Sequence, residues 1–200
     1  PRPLDFEMSI DETLAATTPQ AHFVVAGELI AGGVRITSLA PRFVGEFQKG
    51  IDYIGDPAGF ERDFLLHQQI AGHFGYKLSI HSGSDKFAVF PIIGRHTGLH
   101  VHVKTAGTNW LEALRVIAQA DPLLFRELLD FALEHLAEAR AYYHIGADPA
   151  RVKPHMDLPD SALPAYLDEP DARQVLHITY GLMLQAKAAD GSPCFRDRIF

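Results

Sequence analysis

Two histidines and a lysine stand where this sequence could do chemistry. His81 closes the segment YKLSIH, and His102 and Lys104 close HVHVK. Each segment alternates, so Lys77, Ser79 and His81 share one face opposite Leu78 and Ile80, while His100, His102 and Lys104 oppose Leu99, Val101 and Val103. Two neighbouring strands then turn imidazoles and an amine into one space. With one or two carboxylates, such a pair of imidazoles suits a divalent ion of borderline hardness, zinc, nickel, manganese or cobalt, and leaves a coordination position for a substrate oxygen. Asp11, at the end of the alternating DFEMSID, and Glu46 and Asp85, in loops, offer the carboxylates.

Each of these residues also has a plainer role. A single inward histidine is most simply a hydrogen-bonded core residue; a pair on neighbouring strands, with carboxylates at the same height, makes a ligand set the competing reading. Lys104 either pairs with Glu7 or Asp11 or, desolvated beside a metal, loses its proton readily and serves as a base. Lys86 and Arg42 are solvated loop charges or the local cations that an acidic protein needs to hold an anionic substrate. His67, His73, His135 and His177 fall on predicted helices as packing or surface residues. Glu7, Lys77 and His100 lie below the level of the other groups.

The elements that must position these groups follow from local signals. DFEMSID is a strand over residues 5–11, with Phe6, Met8 and Ile10 opposite Glu7, Ser9 and Asp11. Thr18 caps a helix begun by Pro19 and ended by Gly32 and Gly33. A second strand spans 34–39, and a long loop carrying Arg42, Glu46 and Lys49 follows it; loops of that length are often functional. Asp56 and Pro57 open a helix over 57–73. After the two polar-faced strands, Asn109 and Glu112 have capping-box spacing, and Asp121 and Pro122 start another helix with an apolar stripe through Leu124, Leu128, Phe131 and Leu136. Residues 144–171 are proline-rich and irregular, and 172–188 are helical.

Alternating strands and helices place the chain in the α/β class, with parallel strands joined by crossovers. Strands buried on both faces read as continuous apolar runs, whereas three of these four carry polar residues at every second position, which suits a barrel with a polar interior. Four βα units make the second half of a (β/α)8 TIM-type barrel over residues 1–141, with 142–200 a helical C-terminal extension of the same domain. A half-barrel has two open edges, through which copies could pair into a homo-oligomer. Both chain ends read as cut.

A formal net charge of -7 and a pI near 5.8 argue against a nucleic-acid or anionic-membrane partner, both of which need a concentrated positive field. The single cysteine, Cys194, excludes an intramolecular disulfide and fits a reducing cytoplasm. No apolar run approaches the roughly 20 residues of a membrane span. SGSDK and GADPA match neither the dinucleotide fingerprint nor the phosphate-loop pattern.

KLSIHSGSDKFAVFPIIGR and HVHVKTAGTNWLEALRVIA, together with FEMSIDET, APRFVGEFQKGIDY and RQVLHITYG, resemble the tagaturonate epimerase family of uronate catabolism. The resemblance implies a metal-dependent, barrel-type enzyme that interconverts D-tagaturonate and D-fructuronate and acts on related ketohexoses poorly. It puts weight on Asp11, Glu46, His81, Asp85, Lys86, His102 and Lys104. In the arrangement it suggests, His81, His102 and Glu46 or Asp11 hold the metal, and Asp11 or Lys104 moves a hydroxyl proton with Asp85 beside them. Arg42, Lys86 and Ser82 then bind the uronate. Family members are considerably longer, so a metal-dependent sugar isomerase, a class II aldolase and an inactive fragment stand as alternatives.

Overall fold

The computed structural model describes residues 4–105 and 107–200. The chain forms two compact units, Pro1–Phe47 with Asp52–Thr105, and Gln48–Ile51 with Ala106–Phe200. Residue 141, the expected boundary, lies inside the second unit.

The first unit alternates strand and helix: β1 (Glu7–Ile10), α1 (Pro19–Ala31), β2 (Ser38–Pro41), α2 (Pro57–Phe74), β3 (Lys77–Ile80), α3 (Phe90–Thr97) and β4 (Val101–Val103). All strand pairs are parallel, in the sequential order β1-β2-β3-β4. The order never reverses, which distinguishes it from a doubly wound sheet with its switch point. The alternation read from β3 and β4 is kept. Leu39, Leu78 and Ile80 are fully buried on the helix side with Phe60, Phe64 and Phe43, while Glu7, Ser38, Ser79, His81 and His102 meet on the other face.

The expected caps form where the signal is local. The Thr18 hydroxyl accepts the Ala21 N–H, and the Asp56 carboxylate accepts those of Ala58 and Gly59. Two expectations need correction. β2 begins at Ser38 rather than at Val34, because 34–37 are the connection from α1: buried Ile36 looks like strand in sequence, but pairing starts where Ser38 registers with Glu7. Asn109 does not cap the next helix. That helix, α4 (Thr108–Ala120), is entered from Gly107 at a left-handed φ of 80, which turns the chain into helix before Asn109; Glu112 pairs with Arg115 instead.

The second unit is helical. It continues with α5 (Pro122–Glu134), α6 (Leu136–Ala139), 3-10 turns at Pro149–Arg151 and Asp160–Asp168, α7 (Pro170–Ile178), α8 (Tyr180–Gln185) and α9 (Arg196–Ile199). Its core gathers Leu111, Leu114, Phe125, Leu128, Val175 and Leu176. Arg115 and Arg126 donate to the Leu167 and Leu158 carbonyls and pair with Asp168 and Asp160, so the proline-rich segment gains hydrogen bonds that no helix ladder supplies. Among the described residues, no helix is long and apolar enough to cross a membrane.

Candidate active site

Glu7 is the hub of the polar face. Its carboxylate accepts from Ser38 Oγ at 2.8 Å, from His81 Nε2 at 2.8 Å and from His102 Nδ1 at 2.7 Å. Ser79 Oγ lies 2.9 Å from the same His102 nitrogen, and its hydroxyl also donates to Glu7. His81 bridges onward, with Nδ1 donating to Asp11 at 2.9 Å, and Asp11 accepts from Ser9 as well. All four strands contribute: Glu7 opens β1 and Asp11 follows it, Ser38 opens β2, Ser79 and His81 lie in and just after β3, and His102 is central in β4. A cavity of about 280 Å³ borders the cluster, lined among others by Glu7, Ser38, Lys77 and His102.

The electrostatics follow from these bonds. Burial pushes the Glu7 carboxyl up, but donors from Ser79, His81, Ser38 and His102 outweigh it and hold the group down to about 2. Asp11 is likewise raised by burial and lowered further by His81 and Ser9, with a net downward shift. His81 moves the other way. The bond to Asp11 raises it, burial opposes, and Glu7 adds to the rise, while Lys104 pulls it down. An imidazole with a carboxylate on each nitrogen uses both N–H groups as donors, which only the cationic ring can do.

The residues singled out in the sequence are brought together unevenly. His81, His102 and Asp11 share the cluster. Glu46 does not join the imidazoles: it ion-pairs with Arg42 at 3.6 Å, in a loop pinned by a bridge between Glu46 and Ile54. The carboxylate that reaches both histidines is Glu7, one of the groups expected below their level. Glu7 shares the alternating face of Ser9 and Asp11, so the signal was present; a reach from β1 to both β3 and β4 was not readable from strand position. Arg42 also donates to the Thr13 carbonyl. Lys104 is exposed rather than desolvated. Ser82 and Asp85 follow His81 in the left-handed region, at φ 48 and 59. Lys86 is not a solvated loop charge, for its side chain is fully buried and Nζ donates to the Ser84 carbonyl at 2.8 Å.

Two imidazoles and two carboxylates are the right donors for a borderline divalent ion. Ligands sharing an ion at about 2.1 Å stand roughly 3 Å or more apart. The nitrogen-to-oxygen separations of 2.7 to 2.9 Å here are hydrogen-bond lengths, only a little shorter. Among the described residues, no group of three or more His, Cys, Asp or Glu is spaced to hold a metal as it stands. The chemistry of the donors fits, and the ion would replace protons that the groups now share.

Comparison with known proteins gives the cluster its context. A family profile described as "UxaE: tagaturonate epimerase" matches residues 1–200. A tagaturonate/fructuronate epimerase from Thermotoga maritima is 49% identical over 182 residues, covering 90% of this chain and 38% of that protein. The native crystal structure of fructuronate-tagaturonate epimerase UxaE from Cohnella laeviribosi superposes with a TM-score of 0.96 at 61% identity, over 100% of this chain and 41% of its own. A glycerol complex of the same enzyme matches with the same TM-score at 60% identity, over 99% of this chain and 40% of its own. The chain therefore spans about two fifths of the length of these relatives, and it belongs to the tagaturonate epimerase family.

Proposed function

We propose that this chain supplies one wall of the active site of an enzyme that interconverts D-tagaturonate and D-fructuronate, and that its sheet is the second half of a (β/α)8 barrel. The observation that carries the proposal is Glu7 accepting from both His81 and His102, with His81 held in turn by Asp11, on the polar face of a sequentially ordered parallel sheet. The names of the relatives support the substrates. The activity is assigned to the full-length protein, acting in cytoplasmic uronate catabolism.

The two uronates differ at a hydroxyl-bearing carbon β to the ketone, so removing that carbon's own proton yields no enolate. A retro-aldol route meets this constraint. A base takes the β-hydroxyl proton, the bond between the α and β carbons breaks, and its electron pair passes into the enolate of the ketone. The aldehyde turns, the bond re-forms on its other face, and the new alkoxide recovers the proton. Asp11 fits the role of base: His81 keeps it ionised and fixes its orientation. Glu7 stabilises the cationic His81 from the opposite side. Arg42, which is only half-buried, suits the substrate carboxylate better than sealed Lys86, with Ser82 nearby in sequence to His81. A divalent ion held by His81, His102 and Glu7 would take the place of the His81 Nε2 proton that Glu7 now accepts, leaving that ring neutral and still bonded to Asp11, and would supply Lewis-acid polarisation of the ketone oxygen.

The test uses the full-length enzyme. His81→Ala and His102→Ala should each lower stoichiometric zinc, nickel or manganese in equilibrium dialysis and reduce turnover about 10²–10⁴-fold. Retention of both metal and turnover by both variants would overturn the assignment. A three-carbon aldehyde trapped during turnover supports cleavage, whereas its persistent absence with bound nicotinamide favours transient oxidation. Loss of deuterium from the carbon beside the ketone would instead mark an isomerase.

A further inference from the structure

The loop between β3 and α3 leaves His81 and carries Ser82, Asp85 and Lys86, and its backbone is held at both ends. At the near end the Gly83 N–H donates to the Lys104 carbonyl at 3.0 Å, and a Cβ at Gly83 would run into Val103 Cγ1. Around that near anchor, Ser82 before it and Asp85 after it occupy the left-handed region that side-chain-bearing residues avoid, so the surroundings must impose that conformation. At the far end α3 begins without help from its own cap residue, since Val89 offers no side-chain acceptor. In the turn just before that helix, the Ala88 N–H finds its acceptor on another loop. Both carboxylate oxygens of Asp52, in the loop between β2 and α2, lie 3.2 Å from the Ala88 nitrogen and accept its N–H.

Asp52 therefore ties together two loops, one bearing Arg42 and Glu46, the other Ser82, Asp85 and Lys86. We propose that Asp52 is a positioning residue for uronate binding, one that sets the β3–α3 loop against the β2–α2 loop so that Ser82 and Arg42 engage one substrate. Asp52 itself does not touch the reacting atoms. This rests on the reading of the site given above, and it assigns Asp52 a role in substrate affinity rather than in the chemical step. Displacing binding groups by a fraction of an ångström to an ångström is enough to cost large factors in an enzyme.

The experiment compares Asp52→Ala and Asp52→Asn with wild type in the full-length enzyme. Asp52→Ala should raise the KM for D-tagaturonate about tenfold with kcat changed less than about threefold, because contacts are misplaced while Asp11 and His81 are intact. Asp52→Asn keeps an oxygen that accepts the Ala88 N–H and should restore KM to within about threefold of wild type. Amide hydrogen exchange supplies a readout independent of substrate: exchange at Ala88 should rise at least about tenfold in Asp52→Ala and not in Asp52→Asn. An unchanged KM in Asp52→Ala overturns the proposal, as does a raised KM that Asp52→Asn fails to restore. If wild-type enzyme does not turn over the uronate, the reading of the site fails; unaltered Ala88 exchange with normal turnover removes the loop coupling alone. Should Asp52→Ala fail to fold, Asp52→Ser with its shorter hydroxyl acceptor takes its place, with an intermediate KM expected and a wild-type one overturning the proposal.

Discussion

The first unit contains two histidine pairs that have little in common beyond residue type. In one, His22 on α1 and His67 on α2 approach Nδ1 to Nδ1 at 2.7 Å, the Tyr76 hydroxyl lies 2.7 Å from His22 Nε2, and both rings are fully buried. In the other, His81 and His102 have Glu7 between them and His102 is about half exposed. Burial pushes His22 down to about 3, and neighbouring His67 adds to the fall; His67 is lowered mainly by burial, with Asp63 resisting. His81 is raised, because carboxylates rather than rings or hydroxyls face its nitrogens. One arrangement suits neutral rings: Tyr76 donates to His22, His22 donates to His67, and His67 Nε2 faces Asp63 at 3.7 Å, beyond hydrogen-bond length. The other suits charge. Proximity of two imidazoles does not make a reactive centre; the groups on their outer nitrogens and access to solvent do.

The sharpest way to break this contrast is Glu7→Gln in the full-length enzyme. The amide cannot stabilise a cationic His81 and offers one acceptor oxygen to four donors, so kcat/KM should fall about 10²–10⁴-fold. Wild-type turnover in that variant would remove Glu7 from the site. At the sealed pair, His22→Ala should do the reverse. It leaves the His67 nitrogen and the Tyr76 hydroxyl without their partner and should destabilise the protein by about 1–3 kcal/mol in urea unfolding, with kcat/KM unchanged where the variant is folded.

The smallest effect is one of pH. Folded His22 resists the proton that an unfolded histidine takes up near its ordinary value of 6.5, so the stability it contributes is present above that value and is lost as pH falls towards about 3. Its facing groups, His67 and Tyr76, with Asp63 beyond His67, do not supply a carboxylate bonded to the ring. Below pH 6 the wild-type unfolding free energy should therefore drop more steeply than that of His22→Ala. The difference in slope approaches about 1.4 kcal/mol per pH unit. Equal slopes would show that the ring titrates as if exposed.

How much of this was legible differs by residue. Thr18 with Pro19, Asp56 with Pro57 and Asp121 with Pro122 announced three helix starts, since a cap needs only partners two or three residues away. His81, His102 and Asp11 were found from alternation, which a parallel strand cannot avoid. The burial of Lys86 was not legible, because a charge in a polar loop gives no sign of being sealed in. Asp52 drew no notice because its partner, Ala88, is 36 residues away.

By itself the sequence determined which side chains share a face, where helices begin, that the class is α/β and which family the residues resemble, all consequences of short-range geometry or of long matching strings. Only the tertiary structure decided that Glu7 rather than Glu46 meets both imidazoles, that Lys86 is buried while Lys104 is not, and that His22 and His67 form a neutral pair. The physical reason is common to these. Which partner a long side chain finds, and how much water it keeps, depends on strands and helices from distant parts of the chain closing around it, and no spacing along one segment encodes that.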